Sequence, residues 1–346
     1  RQNTRPNPRR SQKKMPIDMQ SWYRVEIDRK ALKDITTRSD ARGLKQAGGF
    51  FALVISTGAL AWWSIGTAWA IPAFLLYATI FAFSEAAAHE LGHGTAFKTR
   101  WLNETVYWVI CFMSWREQVY SRWLHAKHHT YTHLTATPYQ DPELAFKRPL
   151  SYLKLITDFV RISHGIQFLG AILLHSFGVI TKGAKAVVPE SEYRKMCNNS
   201  RVLLAAYIAV FAWALLSHSW LPLLFLFFAR AVGTWLHELC ALTQHTGLKE
   251  NVLDHRVSSR TVMLNPVVRF LYWNMNYHIE HHMFPSVPFH ALPQFHATVA
   301  AQMPTPYAGL WPAWREILTI FAKQQRDPEY VVVRELPPGR HGDAVA

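Results

Sequence analysis

Three histidine clusters carry the chemistry available to this sequence. They are His89-Glu90-Leu91-Gly92-His93, His125-Ala126-Lys127-His128-His129 and His278-Ile279-Glu280-His281-His282. Residues four apart project from one helical face, so His89 and His93 can reach one site. His125 and His129 share a face in the same way, while His128 lies one residue round, which lets the second cluster address two neighbouring metals. The third cluster repeats the HxxHH spacing of the second, and that repetition is the strongest single signal in the chain. His245, in Gln244-His245-Thr246-Gly247, adds a ninth imidazole, although a histidine in that setting more often just satisfies a helix end.

Taken alone, His89, Glu90 and His93 form the HExxH pattern of zinc metalloproteases, with Glu90 as general base. Nine imidazoles exceed that need, because one tetrahedral zinc takes four ligands and only three from the protein when catalytic. Two metals with four or five ligands each absorb all nine. Imidazole suits iron, copper, nickel and zinc alike, but a redox pair in apolar surroundings beside a bilayer favours iron and dioxygen. A non-enzyme alternative is a metal carrier or sensor with a histidine-rich mouth. The second cluster alone, beside Arg122 and Lys127, also reads as a basic surface patch or an interfacial helix. Cys111, Cys197 and Cys240 are too few and too scattered for a disulfide framework or a CxxC metal site.

The elements that must position these rings belong to a membrane protein. Half of the 346 residues are apolar and 17% are charged, with 14 Trp, 20 Phe and 13 Tyr, which excludes disorder, collagen and coiled coil. The net charge of +14 is concentrated in residues 1–46, where thirteen Lys and Arg face five Asp and Glu. Ala47 to Ser84 carries no charge, and its 38 residues would make a helix of ~57 Å, nearly twice the ~30 Å hydrocarbon layer. It must therefore fold back, with Gly66, Thr67 and Pro72 supplying the break. Val202 to Ala229 reads as a second hairpin, broken at Ser217, His218, Ser219 and Pro222, whose returning arm runs through Arg230 and Thr234 toward His245. The positive-inside rule then puts the basic N-terminal segment and every histidine cluster in the cytosol. Gly165 to Ile180 and Val106 to Trp115 are short for spans and are expected to lie in the interface. The expected fold is thus an all-α integral membrane protein with four transmembrane helices in two hairpins. Its segments are a basic segment 1–46, a membrane and cap domain 47–321 and a tail 322–346. Residues 1–15 and Arg334 to Ala346 read as loose ends, and no cleavable signal peptide is expected.

With those residues in place the chain resembles the membrane fatty acid desaturase and hydroxylase superfamily. That family's boxes, HxxxH, HxxHH and HxxHH, are matched by His89/His93, His125/His128/His129 and His278/His281/His282. His281 to Pro293 is similar to its HHxFPxxPxxxLP signature. The resemblance runs from about Ala47 to Pro293. It implies a cytosolic helical cap over four spans, two irons, and one further ligand at the end of the last span, which would be His245, although His237 lies on nearly the same face. His133, Asp141, Glu90 and Glu280 are candidates for orienting the ligand rings, and Asn274 and Asn276 for holding a ligand or water.

The implied reaction uses dioxygen and external electrons to desaturate an unactivated C–C bond, with hydroxylation as the alternative outcome. A fatty acyl lipid is the first expectation for substrate, since most relatives act on acyl chains. A small amphipathic metabolite such as a modified amino acid is the second. The chain has no haem motif, no four-Cys set and no nucleotide-binding GxGxxG, so electrons are expected from a separate acidic ferredoxin, rubredoxin or cytochrome-type donor. Arg100, Arg116, Arg122 and Lys127 are candidates to dock it, and no nucleic acid partner is expected.

Overall fold

Ser39 begins the first long helix, its hydroxyl accepting the Arg42 N–H at 3.4 Å. In this computed structural model, which describes residues 22–135, 140–144, 148–160 and 162–337, that helix is α1 (Asp40–Trp63). Residues 1–15 and the chain beyond residue 337, expected above to be loose, lie outside the described residues. Asp40 suits the positive end of α1 and accepts both the N–H and the hydroxyl of Thr99, at 2.8 and 2.7 Å. A turn at 64–69 leads into α2 (Ala70–Ala82), which continues past Phe83 as α3 (Ser84–His93). Gly66 takes a left-handed φ of 84° in that turn. Pro72 falls in the first turn of α2, where its missing N–H has no partner to lose.

The chain then forms α4 (Arg100–Ser114), α5 (Gln118–Tyr131), α6 (Ile162–Ser176) and α7 (Tyr193–Leu216). After a turn at 217–220, Leu221–Leu223 and a π-helical turn Leu224–Phe228 enter α8 (Ala229–Ala241). The last elements needed here are α9 (His278–Met283) and α10 (Leu310–Gln324). Among the described residues there is no strand, only two isolated bridges at Thr261–Tyr277 and Val262–Tyr307.

Four stretches are long and apolar enough to cross a membrane: Asp40–Trp63, Ala70–His93, Glu190–Leu216 and Leu221–Ala241. The apolar part of Ala70–His93 is 67% buried against 17% for Asp40–Trp63, so α2 and α3 are the inner element and α1 an outer one. α8 packs along α2, α1 packs on α2, and α6 packs on α7. Gly233 makes the closest of these approaches possible: a Cβ there would sit 1.8 Å from the Ala78 carbonyl oxygen. Trp62, Trp63 and Trp69 at one turn, and Trp213 and Trp220 at the other, are exposed, as aromatic side chains at a lipid boundary are. At 15 residues each, α4 and α6 fall short of the ~20 a span requires.

Arg334, at the start of the expected loose tail, is packed instead. Its guanidinium donates to the carbonyls of Arg256 and Ser259 and to the Tyr307 hydroxyl. Those carbonyls belong to a segment without a regular partner, so an arginine reaching back from the chain end satisfies them. Cys111, Cys197 and Cys240 are free and buried.

Candidate metal centre

Each histidine cluster is delivered by a helix whose end is fixed. α3 carries His89 and His93 and stops at Gly94, which has a left-handed φ of 69°. α5 carries His125, His128 and His129. It is capped by Glu117, whose carboxylate accepts the N–H groups of Val119 and Tyr120 at 3.0 and 2.7 Å. α9 carries His278, His281 and His282, and His245 stands in the turn after α8.

These nine rings fall into two groups. His89, His93, His125, His129 and His281 form one, and His128, His245, His278 and His282 form the other; within each group the nearest nitrogens all lie within 4.8 Å of one another. The boxes are therefore interleaved: His281 joins the rings of α3 and α5, while its helix neighbours His278 and His282 join His128 and His245. The two groups abut, with the His129 and His282 rings stacked at 4.2 Å. His237, the alternative to His245, is in neither group; its Nδ1 meets Glu238 at 3.0 Å.

The donor set fits a pair of cations. In the five-histidine group Nε2 faces Nε2 at 2.8 Å for His89–His281, 3.0 Å for His93–His125 and 3.0 Å for His125–His129. In the four-histidine group the separations are 2.8 Å for His245–His278, 3.0 Å for His278–His282 and 3.2 Å for His245–His282. Nitrogens bound roughly 2.0–2.1 Å from one ion and at right angles stand ~3 Å apart. Several of the same rings give their other nitrogen a partner. His125 Nδ1 meets Glu143 at 3.1 Å, His128 Nδ1 meets Asp141 at 2.9 Å, and His245 Nδ1–H donates to the Ser258 carbonyl at 2.8 Å. The Thr132 hydroxyl donates to the His128 carbonyl at 2.8 Å and accepts from His282 Nδ1 at 3.1 Å. A proton on Nδ1 leaves a lone pair on Nε2, and lone pairs so close repel unless a cation lies between them.

Protonation follows the same pattern. Burial, with neighbouring rings adding to it, holds His125, His129, His245, His278, His281 and His282 well below the usual histidine range, the neutral form a metal needs. His128 differs: burial opposes its charge, but the Asp141 carboxylate outweighs burial and pushes the ring up to about 9. Burial pushes His133 down to about 4.

The other expected residues divide. Asp141 orients His128 and also accepts the His133 and Glu143 N–H groups, both at 2.9 Å. His133 takes a φ of 58° and lies tilted against His245, ring centres 5.2 Å apart, without entering a group. Glu90 does not orient a ligand ring: it accepts the Thr95 hydroxyl and the Phe289 N–H, pinning the HHxFP loop to α3. Glu280 likewise serves Thr261 and His296. Asn274 and Asn276 spend their amide N–H groups on the carbonyls of Phe289 and Val262. Glu143, Ser258 and Thr132 hold the rings of His125, His245 and His282, and no spacing in the sequence marks them. Arg116 is not a surface residue for a docking partner. Its guanidinium donates to Glu85 at 2.8–2.9 Å and faces inward, because Glu85 is itself buried and requires a cation. Arg122 is held by Glu104 and the Gly92 carbonyl, whereas Arg100 is exposed.

A cavity of about 610 Å³ opens against the histidines, with His89, His125, His128 and His245 in its wall. A family model described as fatty acid desaturase matches residues 36–314. No curated protein matches the chain.

Proposed function

Because the chain belongs to the fatty acid desaturase family, and is therefore an oxidoreductase, we propose that it is a membrane-bound desaturase with one iron ion in each histidine group. The observation that carries this reading is the convergence of nine histidines into two adjoining sets of five and four. His89, His93, His125, His129 and His281 would hold one ion, and His128, His245, His278 and His282 the other. Such a pair, when bound, supplies dioxygen reduction coupled to removal of two hydrogens from an unactivated C–C bond. The balance is one dioxygen, two electrons and two protons consumed and two waters released per double bond formed. The electrons come from a separate ferredoxin, rubredoxin or cytochrome-type donor.

The chain's own part is placement. Asp141, Glu143, Ser258 and Thr132 hold ring tautomers, Glu90 pins the loop before Phe289 to α3, and the packed apolar helices keep water from the reacting carbon. We read the four apolar stretches as two hairpins crossing the bilayer, with both chain ends and the histidines on the cytosolic side and α4 and α6 along the interface. Residues 47–321 act as one membrane and cap unit between a basic segment 1–46 and a tail 322–346. The family points to a lipid substrate, an acyl chain above all. The small amphipathic substrate is the second reading. Nothing supports the zinc protease, whose general base would be Glu90, a residue engaged with Thr95 and Phe289.

Elemental analysis of the detergent-purified chain tests the assignment. It should find about two irons per chain, as nine imidazoles shared by two ions require, with turnover of an acyl lipid or small amphipathic compound only when dioxygen and reductant are present. About one zinc, retained after iron reconstitution and accompanied by peptide cleavage without dioxygen, would overturn it.

A further inference from the structure

A short strap of chain, Trp22 to Glu26, crosses the four-histidine side of the centre and is fastened along its length. The Tyr23 N–H donates to the Leu253 carbonyl at 2.8 Å. The Arg256 guanidinium lies 3.4 Å from the centre of the Tyr23 ring. The Val25 N–H meets Met283 Sδ of α9 at 3.3 Å. The Glu26 backbone and the Gln302 side chain exchange two hydrogen bonds, both 2.8 Å. None of these contacts uses the Trp22 side chain. Its ring is stacked instead on His255, with centres 4.2 Å apart and planes 4° from parallel.

His255 has no task in the centre as described so far. It is buried, belongs to neither histidine group, and its Nδ1 has no hydrogen-bond partner among the described residues. Keeping a polar ring dry and unpartnered costs free energy that an aliphatic side chain would not. The other neighbour of His255 is His282 of the four-histidine group, with ring centres 5.1 Å apart. His282 Nε2 in turn stands 3.0 Å from His278 Nε2. Among the described residues, two rings outside the groups touch a ring inside one: His133 beside His245 and His255 beside His282. Of these, His255 alone leads on to a further ring, and that ring, Trp22, is partly accessible.

Resting on the two-iron reading above and its external donor, we propose that electrons enter the centre through this stack. The donor docks over Trp22, and Trp22 and His255 bridge the gap to His282 and the four-histidine group. Tunnelling falls off steeply with distance, and more steeply across empty space than through atoms in contact. Neither ring is itself reduced. Each electron leaves the donor, an iron–sulfur or haem protein that is oxidised by one unit, and reduces one iron(III) of the centre to iron(II). Two such passages supply the two electrons used per double bond. The segment that carries Trp22 also suits an acidic donor. From Trp22 to Gln46 seven Lys and Arg, all exposed, stand against four Asp and Glu. Two of those carboxylates, Asp28 and Asp40, already accept from backbone N–H groups. The remaining excess of positive charge draws in a negative partner.

Flash photoreduction of the full, iron-loaded chain in detergent tests this without the natural donor. A ruthenium–bipyridine label is attached through Arg24→Cys, two residues from Trp22; the native cysteines Cys111, Cys197 and Cys240 are buried and stay unlabelled. A flash with a sacrificial reductant puts one electron on the label, and reoxidation of the label times its departure to the irons. A fast phase is expected in the otherwise unaltered chain. Trp22→Leu and His255→Leu should each abolish that phase while iron stays at about two per chain, and Trp22→Phe, which keeps a ring, should retain it. The strap keeps its other fastenings in the Trp22 variants. A second label, at Thr130→Cys on α5, where the residue is exposed, should lose its electron at a rate that Trp22→Leu leaves alone, whereas a general loosening of the centre would slow both labels. A fast phase that survives both leucine substitutions, or equal slowing from both labels, would overturn the proposal. Iron content of the same samples separates the two readings. Two irons with a rate indifferent to Trp22 and His255 would sink the electron route alone, whereas fewer than two irons in the unaltered chain would sink the two-iron reading and the route with it.

Discussion

The five-histidine and four-histidine groups hold the same ligand type in different ways. The first draws His89 and His93 from α3 and His125 and His129 from α5, pairs spaced one turn apart on helices of 10 and 14 residues, so the backbone aims the rings. Its outer nitrogens are sparsely partnered: Glu143 serves His125, while Nδ1 of His129 and of His281 is buried with no partner among the described residues. The second group takes His278 and His282 from α9, six residues long, and His245 from a turn. A helix so short has no stability of its own. There the outer nitrogens of His128, His245 and His282 are engaged by Asp141, Ser258 and Thr132, while Nδ1 of His278 is buried with no partner among the described residues. Hydrogen bonds from outside the boxes thus hold three rings of the four-histidine group and His125 of the five-histidine group.

The largest effects should come from the ligands themselves. His281→Ala removes one ring from the five-histidine group and His128→Ala one from the other. Each should cut metal content by about one ion and turnover by at least about a hundredfold, more than loss of an orienting partner costs. Metal analysis beside a turnover assay checks this, and loss of both ions from either variant would mean that the groups behave as one site.

Next in size is the contrast between Asp141→Asn and Glu143→Gln. The Asp141 side chain is fully buried and that of Glu143 is 27% accessible. Asp141→Asn should weaken ion binding by the four-histidine group about 10–100-fold. Glu143→Gln should cost the five-histidine group only a few-fold, since a partly solvated pair is worth under about 1 kcal/mol. Chelator titration of the two variants reads both, and equal losses would erase the difference between the buried and the partly solvated partner.

What the sequence disclosed follows this same division. The i, i+4 spacing of His89/His93 and His125/His129 is local, so their shared faces were legible, as was the turn at Gly66 in an uncharged run too long for one span. Asp141 was legible as an orienting carboxylate because it lies close behind its box. The interleaving of the third box was not, because it depends on how α9 is rotated against α3 and α5, which tertiary packing decides. Ser258 acts through a backbone carbonyl, which leaves no side-chain signature. Glu90 and Glu280 sit inside boxes and were expected to serve ligand rings, yet they point the other way and bind the loops that frame the site.

Thr132→Val should have a smaller effect, confined to the four-histidine group. The hydroxyl bridges the His128 carbonyl and His282 Nδ1, and its loss removes a bond worth ~1 kcal/mol, or roughly fivefold in affinity. Competition with a chelator would show a change in one of two ions; a change in the five-histidine group as well would blur the division.

The smallest effect expected is that of Arg334→Ala, which acts furthest from the metals. Arg334 donates to the carbonyls of Arg256 and Ser259, on either side of the Ser258 carbonyl that accepts from His245. From the other flank Arg260 donates to the carbonyls of Thr243 and Thr246, at 3.1 and 2.7 Å, and is tied to Glu316 of α10. Arg260 thus grips the turn bearing the one ligand that no box supplies, and Arg334 the segment whose carbonyl that ligand meets. With Arg334 gone, Arg260 still holds the His245 side, so the Ser258 carbonyl should loosen rather than leave. Metal release from the four-histidine group should quicken about two- to fivefold, the equivalent of ~0.5–1 kcal/mol from one hydrogen-bonded contact, with the five-histidine group unchanged. Stopped-flow release into a chelator should therefore show one phase shifted and one constant. Two shifted phases would mean that the chain end supports the whole centre, and two unchanged phases that His245 needs no support beyond Arg260.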